Sequence, residues 1–160
     1  MAEKQHLYRA DVVWTGNSGA GTRGYRDYGR EYEVRADGKP AIPGSSDANF
    51  QGDAARWNPE ELLVASLSAC HKLWFLHLCS VGGVVVTAYE DHAEGVMVET
   101  EDGGGHFTAV TLRPHARLAA GSDPARAAAL HHDANAKCFV ANSVNFPVAI
   151  EPTFDVEGAA

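Results

Sequence analysis

The three cysteines, Cys70, Cys79 and Cys138, are the side chains of this sequence best suited to covalent chemistry. A thiolate is both nucleophile and metal ligand, so what matters is where each sulfur sits. Cys70 lies within Ser68-Ala69-Cys70-His71, in the middle of a long apolar run, and by itself reads as a small hydrophobe in a core. Cys79, near the end of the same run, reads the same way. Cys138 stands at an expected helix break before Phe139-Val140-Ala141-Asn142. A helix N-terminus there would lower its pKa, because free N–H groups and the dipole favour the thiolate. A core cysteine and a helix-start cysteine far apart in sequence form a candidate peroxidatic and resolving pair. The first becomes a sulfenic acid, and the second condenses with it to a disulfide that a reductant clears. Such a pair needs a cation to hold the first sulfur as thiolate.

Other polar residues offer less. His71 and His77 are six residues apart, about 600° around a helix, and so do not share a face. His71 either tunes Cys70 or is a hydrogen-bonded structural histidine. His131 and His132 are adjacent and point in different directions, whereas helical metal-ligand pairs sit at i, i+4. No tight Cys/His spacing supports a metal site, and no metal or organic cofactor is expected. Gly19-x-Gly21-x-x-Gly24 matches a dinucleotide fingerprint only superficially, because a strand-like segment follows where a helix is required. Tyr25, Tyr28 and Tyr32 read as sheet packing. Trp14, Trp57, Trp74 and Phe75 read as lining of the core or of an apolar pocket over Cys70.

The chain has 160 residues, 13 Lys and Arg against 21 Asp and Glu, and a net charge of −8. Its length suits a single domain, residues 1–160. The acidic balance argues against a broad phosphate-binding surface and hence against nucleic acid as a partner. An odd cysteine count is not a secreted disulfide framework. The start of the chain carries no basic-then-apolar leader pattern. No apolar stretch approaches the ~20 residues needed to span a bilayer. The expected compartment is the reducing cytoplasm, with no membrane partner.

The elements that must position the cysteines follow from local signals. Leu7 to Thr15 and Tyr25 to Val34 read as strands around a glycine-rich turn. Asn58, Pro59 and Glu61 form a helix start in which Glu61 can reach back to the cap. The run from Leu62 to Ser80 is apolar on nearly every face, the pattern of a centrally buried helix. Val84 to Tyr89, Glu90 to Val98 and Phe107 to Leu118 read as strands, the last with an edge or bulge at Pro114. Ser122 is expected to cap a second helix that begins with Asp123 and Pro124 and runs to about Ala136. A short helical piece and a final strand from Phe146 to Val156 complete the chain. The order is that of an α+β fold with a largely antiparallel sheet and two main helices.

Asn58-Pro59-Glu60-Glu61-Leu62-Leu63 followed by Ala69-Cys70, with the later Ala134-Asn135-Ala136-Lys137-Cys138, resembles the signature of the OsmC/Ohr family of osmotically inducible and organic hydroperoxide resistance proteins. The resemblance extends over essentially the whole chain. It implies an intertwined homodimer with active sites at the interface, reducing organic hydroperoxides by a cysteine pair. By that match Cys70 is peroxidatic and Cys138 resolving. Glu60 matches a carboxylate that holds an activating arginine from the N-terminal strand–turn region. Arg23 is the first candidate and Arg26 the second, with Arg30 and Arg56 behind them. The reductant implied is a dithiol, such as a lipoylated protein. Ten helical residues separate Glu60 from Cys70 by ~15 Å, so a shared arginine requires a bent helix or a glutamate from a second chain; the second chain is expected.

The sequence departs from the family pattern where His-x-x-Cys-Pro is common: Asn135 and Phe139 flank Cys138 in place of His and Pro. His71 follows Cys70 where an apolar aromatic is more usual. These changes bear on substrate and activity more than on fold. The alternative reading of the same fold is a small-ligand-binding or stress-related protein without peroxidase activity.

Overall fold

The computed structural model describes residues 4–158 and divides into two compact units, Met1–Leu62 and Leu63–Ala160. In the first unit, β1 (Asp11–Trp14), β2 (Tyr32–Arg35) and β3 (Ile42–Gly44) form an antiparallel sheet in that order. The first two strands are shorter than expected. Residues 25–30 do not join β2, because the Arg30 guanidinium gathers that segment into a turn. It donates to the Tyr28 carbonyl at 2.5 Å and the Tyr25 carbonyl at 2.6 Å, and lies 4.1 and 4.5 Å from the centres of the two rings. Tyr25 and Tyr28 therefore hold an arginine instead of packing in a sheet.

Helix α1 (Pro59–Gly82) starts as the sequence predicts. The Asn58 Oδ1 accepts from the Glu61 N–H at 2.7 Å, and the Glu61 Oε2 accepts from the Asn58 N–H at 3.2 Å. Two otherwise orphaned donors are thereby paired. The helix ends as Gly83 turns left-handed (φ +75°) and the Val84 N–H reaches back to the Cys79 carbonyl at 3.0 Å.

The second unit holds two three-stranded sheets. One is ordered β4 (Val86–Asp91), β7 (Pro114–Leu118), β9 (Thr153–Val156); the other β5 (Glu94–Glu99), β6 (Gly105–Leu112), β8 (Val148–Ile150). Each contains one antiparallel and one parallel pair, β7 with β9 and β6 with β8 being parallel. The expected strand from Phe107 to Leu118 is thus two strands in different sheets, and so is the one from Phe146 to Val156. The changeover between β6 and β7 falls at Arg113, just before Pro114, whose missing N–H cannot continue a ladder. Arg113 holds that corner: its N–H donates to Asp91 at 2.7 Å, and its side chain meets Glu151 at 3.1 Å and Glu94 at 3.6 Å.

Helix α2 (Pro124–Lys137) is capped by Asp123, whose carboxylate accepts from the Ala125 N–H at 2.9 Å. Ser122, the expected cap, instead accepts from the Val85 N–H at 3.2 Å. Aspartate wins the position because Pro124 occupies the first helical place directly after it.

Helix α1 buries one stripe, Leu67, His71, Phe75 and Cys79, a four-residue repeat on one face. Leu67 packs with Val110 and Leu112 against the β5–β6–β8 sheet. Phe75 and Cys79 pack with Ala116, Leu118, Ala127, Leu130 and Ala134 against the other sheet and α2. Central burial of the whole helix is not observed: Leu73 is 63% exposed and Val81 69%. By length and composition α1 also meets the requirement for a membrane-crossing helix, contrary to the expectation from sequence. Ser66, Ser68, His71, Lys72 and His77 break the apolar run without lowering its average enough. Its buried stripe is nonetheless part of the protein core.

Candidate functional site

The two helices of the second unit bring Cys70 and Cys138 together. Cys70 faces outward enough to be partly accessible, next to the buried stripe of α1, while Cys138 is the C-terminal cap of α2 and 1% exposed. The two sulfurs are neighbours, and Cys70 raises the pKa of the Cys138 thiol. Around them Trp74 meets Phe139 edge-on, with ring centres 5.6 Å apart, and the Lys137 ammonium lies 5.9 Å from the Trp74 ring centre.

The chemistry of Cys138 differs from expectation. It ends a helix instead of starting one. Its pKa is pushed up to about 11, first by burial and then by the neighbouring Cys70 sulfur. The Ala141 N–H does donate to its sulfur at 3.4 Å, and the Val140 backbone also favours the thiolate, both traces of the anticipated helix-start effect. These backbone groups at the start of a three-residue 3-10 turn (Ala141–Ser143) do not offset the loss of water around a buried thiolate. Cys138 is therefore held as a thiol beside Cys70. Cys79 is a core residue, 1% exposed, with burial raising its pKa to about 11 as well.

The remaining candidates belong to the first unit. Glu60 is half-buried in the first turn of α1; burial, and then its negative charge, raise the pKa of the Tyr32 hydroxyl. Arg23 and Arg26 are exposed in the glycine-rich turn and make no hydrogen bond or ion pair among the described residues. Arg30 is committed to the two tyrosines, and Arg56 pairs with Asp53 at 3.5 Å. Asn135, in place of the usual histidine, donates from Nδ2 to the Val148 carbonyl at 3.4 Å and ties the end of α2 to β8. Trp14 and Trp57 are about half exposed, while Phe75 is fully buried.

The sequence reading does not pair His71 with His131. Both are 1% exposed, and His71 Nε2 lies 2.8 Å from His131 Nδ1 with the rings nearly parallel. Phe75 covers the His131 ring, centres 3.6 Å apart. Burial lowers the pKa of His71 to about 4, against a partial opposing pull from Asp91, and that of His131 to about 3, with His71 adding to the effect. Both imidazoles are thus neutral near neutral pH, one donating to the other. Their outer nitrogens, His71 Nδ1 and His131 Nε2, meet no hydrogen-bonding group among the described residues, and neither does the buried Tyr89 hydroxyl. Neighbouring Ser68 donates to Asp91 at 2.5 Å. Among the described residues, no group of three or more His, Cys, Asp or Glu side chains is arranged to hold a metal ion.

The sequence matches a family model described as OsmC-like protein over residues 51–153. The structure is similar to that of an OsmC-like protein of unknown function from Vibrio cholerae, with a TM-score of 0.83 and 32% identity over 92% of this chain and 99% of that one. An organic hydroperoxide resistance protein from Legionella pneumophila shares the fold at a TM-score of 0.66 and 21% identity, covering 95% of this chain and 100% of that one. The organic hydroperoxide resistance protein OhrB of Bacillus subtilis does so at 0.61 and 22%, covering 94% and 100%. No curated protein matches the sequence. With a family match over most of its length, two principal helices and antiparallel-rich sheets, this chain is a member of the OsmC-like protein family.

Proposed function

We propose that the protein is a thiol-dependent peroxidase that reduces organic hydroperoxides. The observation that carries this reading is the neighbouring pair of Cys70, partly accessible, and Cys138, buried and protonated. That asymmetry suits a division of labour. The Cys70 thiolate attacks the terminal peroxide oxygen, forming an S–O bond as the O–O bond breaks, and the alcohol leaves with a proton. The Cys138 sulfur then attacks the Cys70 sulfenic acid, forms the S–S bond and releases water, its own proton going to the departing oxygen. A dithiol reductant, such as a lipoylated protein, returns two electrons and two protons and restores both thiols. Trp74 and Phe139 offer apolar surface beside the sulfurs for an alkyl or aryl substituent.

Glu60 and Arg23, with Arg26 as the second candidate, take their roles from the family resemblance: a carboxylate orients a guanidinium, which stabilises the thiolate and polarises the peroxide. The reading has the single-domain chain act as a homodimer. The exposed apolar residues of α1, Leu73 and Val81 among them, support a second chain covering that helix. Free cysteines fit the cytoplasm. Related folds in proteins described as organic hydroperoxide resistance proteins point the same way.

Peroxide consumption with a dithiol reductant tests the proposal, using cumene and tert-butyl hydroperoxide against hydrogen peroxide. Wild type should consume the organic peroxides faster, Cys70→Ser should fall to background, and Cys138→Ser should stop after the sulfenic acid forms. Equal rates for wild type and Cys70→Ser would end the peroxidase reading and leave a binding role. Arg23→Ala and Arg26→Ala then decide which guanidinium serves Cys70.

A further inference from the structure

The buried imidazole pair stands at the same helix–helix contact as the thiols. His71 directly follows Cys70 on α1, and His131 lies seven residues, about two turns, before Cys138 on α2. The His71 Nε2···His131 Nδ1 bond of 2.8 Å is the one side-chain hydrogen bond between α1 and α2 among the described residues. The other contacts between these helices are packing contacts without a hydrogen bond, such as Phe75 on His131, Lys137 over the Trp74 ring, and Leu130 close to Gly82. Contacts of that kind tolerate sliding, whereas a buried directional bond discriminates one register from its neighbours. The His131 ring is also clasped: Phe75 stacks on it, and Phe154 of β9 packs against it with centres 5.7 Å apart. The ionisable groups facing the pair from the adjoining strand β4 are Asp91, whose charge is felt by both His71 and Tyr89, and Tyr89 itself, which packs against Phe75.

We propose that the His71–His131 hydrogen bond is a positioning device for the cysteine pair, holding α1 and α2 in the register at which Cys138 meets Cys70. Disulfide closure then needs local side-chain movement and no shift of one helix along the other. This rests on the cysteine-pair reading above. Two apolar rings would fill the same space without a directional bond, so the feature these imidazoles add is direction.

Closure driven by diamide tests this independently of any peroxide. Diamide takes two electrons and two protons from the two thiols and becomes the hydrazine, leaving one S–S bond. The Cys70–Cys138 disulfide is followed by mass spectrometry after alkylation. In the double variant His71→Phe/His131→Phe both partners become apolar, so neither loses a bond it still needs and the fold should hold. It should close about tenfold or more slowly than wild type, because a small misplacement of reacting groups is costly in rate. Should that variant not fold, His71→Gln and His71→Met replace it: they are similar in length, but only the glutamine amide can meet His131 Nδ1. Glutamine should retain most of the wild-type rate and methionine should not. A double variant closing at the wild-type rate, or equal rates for the glutamine and methionine variants, overturns the inference while leaving the cysteine pair standing. A wild-type chain that forms no Cys70–Cys138 bond overturns the cysteine-pair reading and this inference with it.

Discussion

The Cys138 thiol is buried at the end of α2 beside Cys70, which is itself partly accessible on α1. One sulfur can be reached from solvent, and the other waits beside it as a thiol. Brief treatment with iodoacetamide at pH 7.5 should therefore label Cys70 and spare Cys138 and Cys79. With pKa values pushed up to about 11, each of the latter is ionised in well under ~1 in 1,000 molecules, and both are 1% exposed. Peptide mapping by mass spectrometry reads the order; labelling of Cys138 before Cys70 would contradict it.

The His71–His131 pair makes stability fall in mild acid. Both groups titrate near 6.5 in the unfolded chain, but burial lowers them to about 4 and about 3 in the folded one. Above pH 6.5 neither state binds these protons and the pair contributes no pH dependence. As pH falls from 6.5 toward 4 the unfolded chain takes up two protons that the folded chain refuses. Stability should then drop by about 1.4 kcal/mol per pH unit for each histidine at the steepest. Urea unfolding between pH 7 and 4.5 measures the slope. In His71→Phe/His131→Phe that part of it should vanish; an identical slope in both proteins would exclude the pair as its source.

Phe75 is fully buried, stacks on His131 and packs against Tyr89. Phe75→Ala should cost about 3–5 kcal/mol by cavity formation and lost burial. Loss of the stacked ring also frees the His131 side chain. Denaturant unfolding reads the first effect and the imidazole NMR signals the second. A cost below 1 kcal/mol would mean that the core collapses around the missing ring.

Asn58 is 7% exposed and exchanges two hydrogen bonds with Glu61. Asn58→Ala should lower stability by about 1 kcal/mol, whereas Asn58→Asp should largely preserve it, because the carboxylate also accepts from the helix N-terminus. Unfolding midpoints of the two variants decide the point. Equal losses would show that the amide group itself is needed.

The legible parts of this protein were those governed by neighbours in the chain. The start of α1 is visible in Asn58, Pro59 and Glu61, since a cap and its partner lie three residues apart. The α+β order of elements follows from local periodicity, and the Asn-Pro-Glu and cysteine motifs carry the family membership that the comparisons bear out. Signals of short range misled only in detail, as where Asp123 displaces Ser122 at the cap of α2.

Tertiary structure decided what depends on distant segments meeting. Sequence alone shows neither that strands β6 and β8, and β7 and β9, pair in parallel, nor that the chain changes sheets at Arg113. His71 and His131, 60 residues apart, look like unrelated histidines until α1 and α2 pack and bury them joined by one hydrogen bond. The sign of the Cys138 shift reverses for the same reason. A helix terminus acts over a single turn and can be guessed from spacing, but burial depends on every element that covers the sulfur, and desolvation is the larger effect.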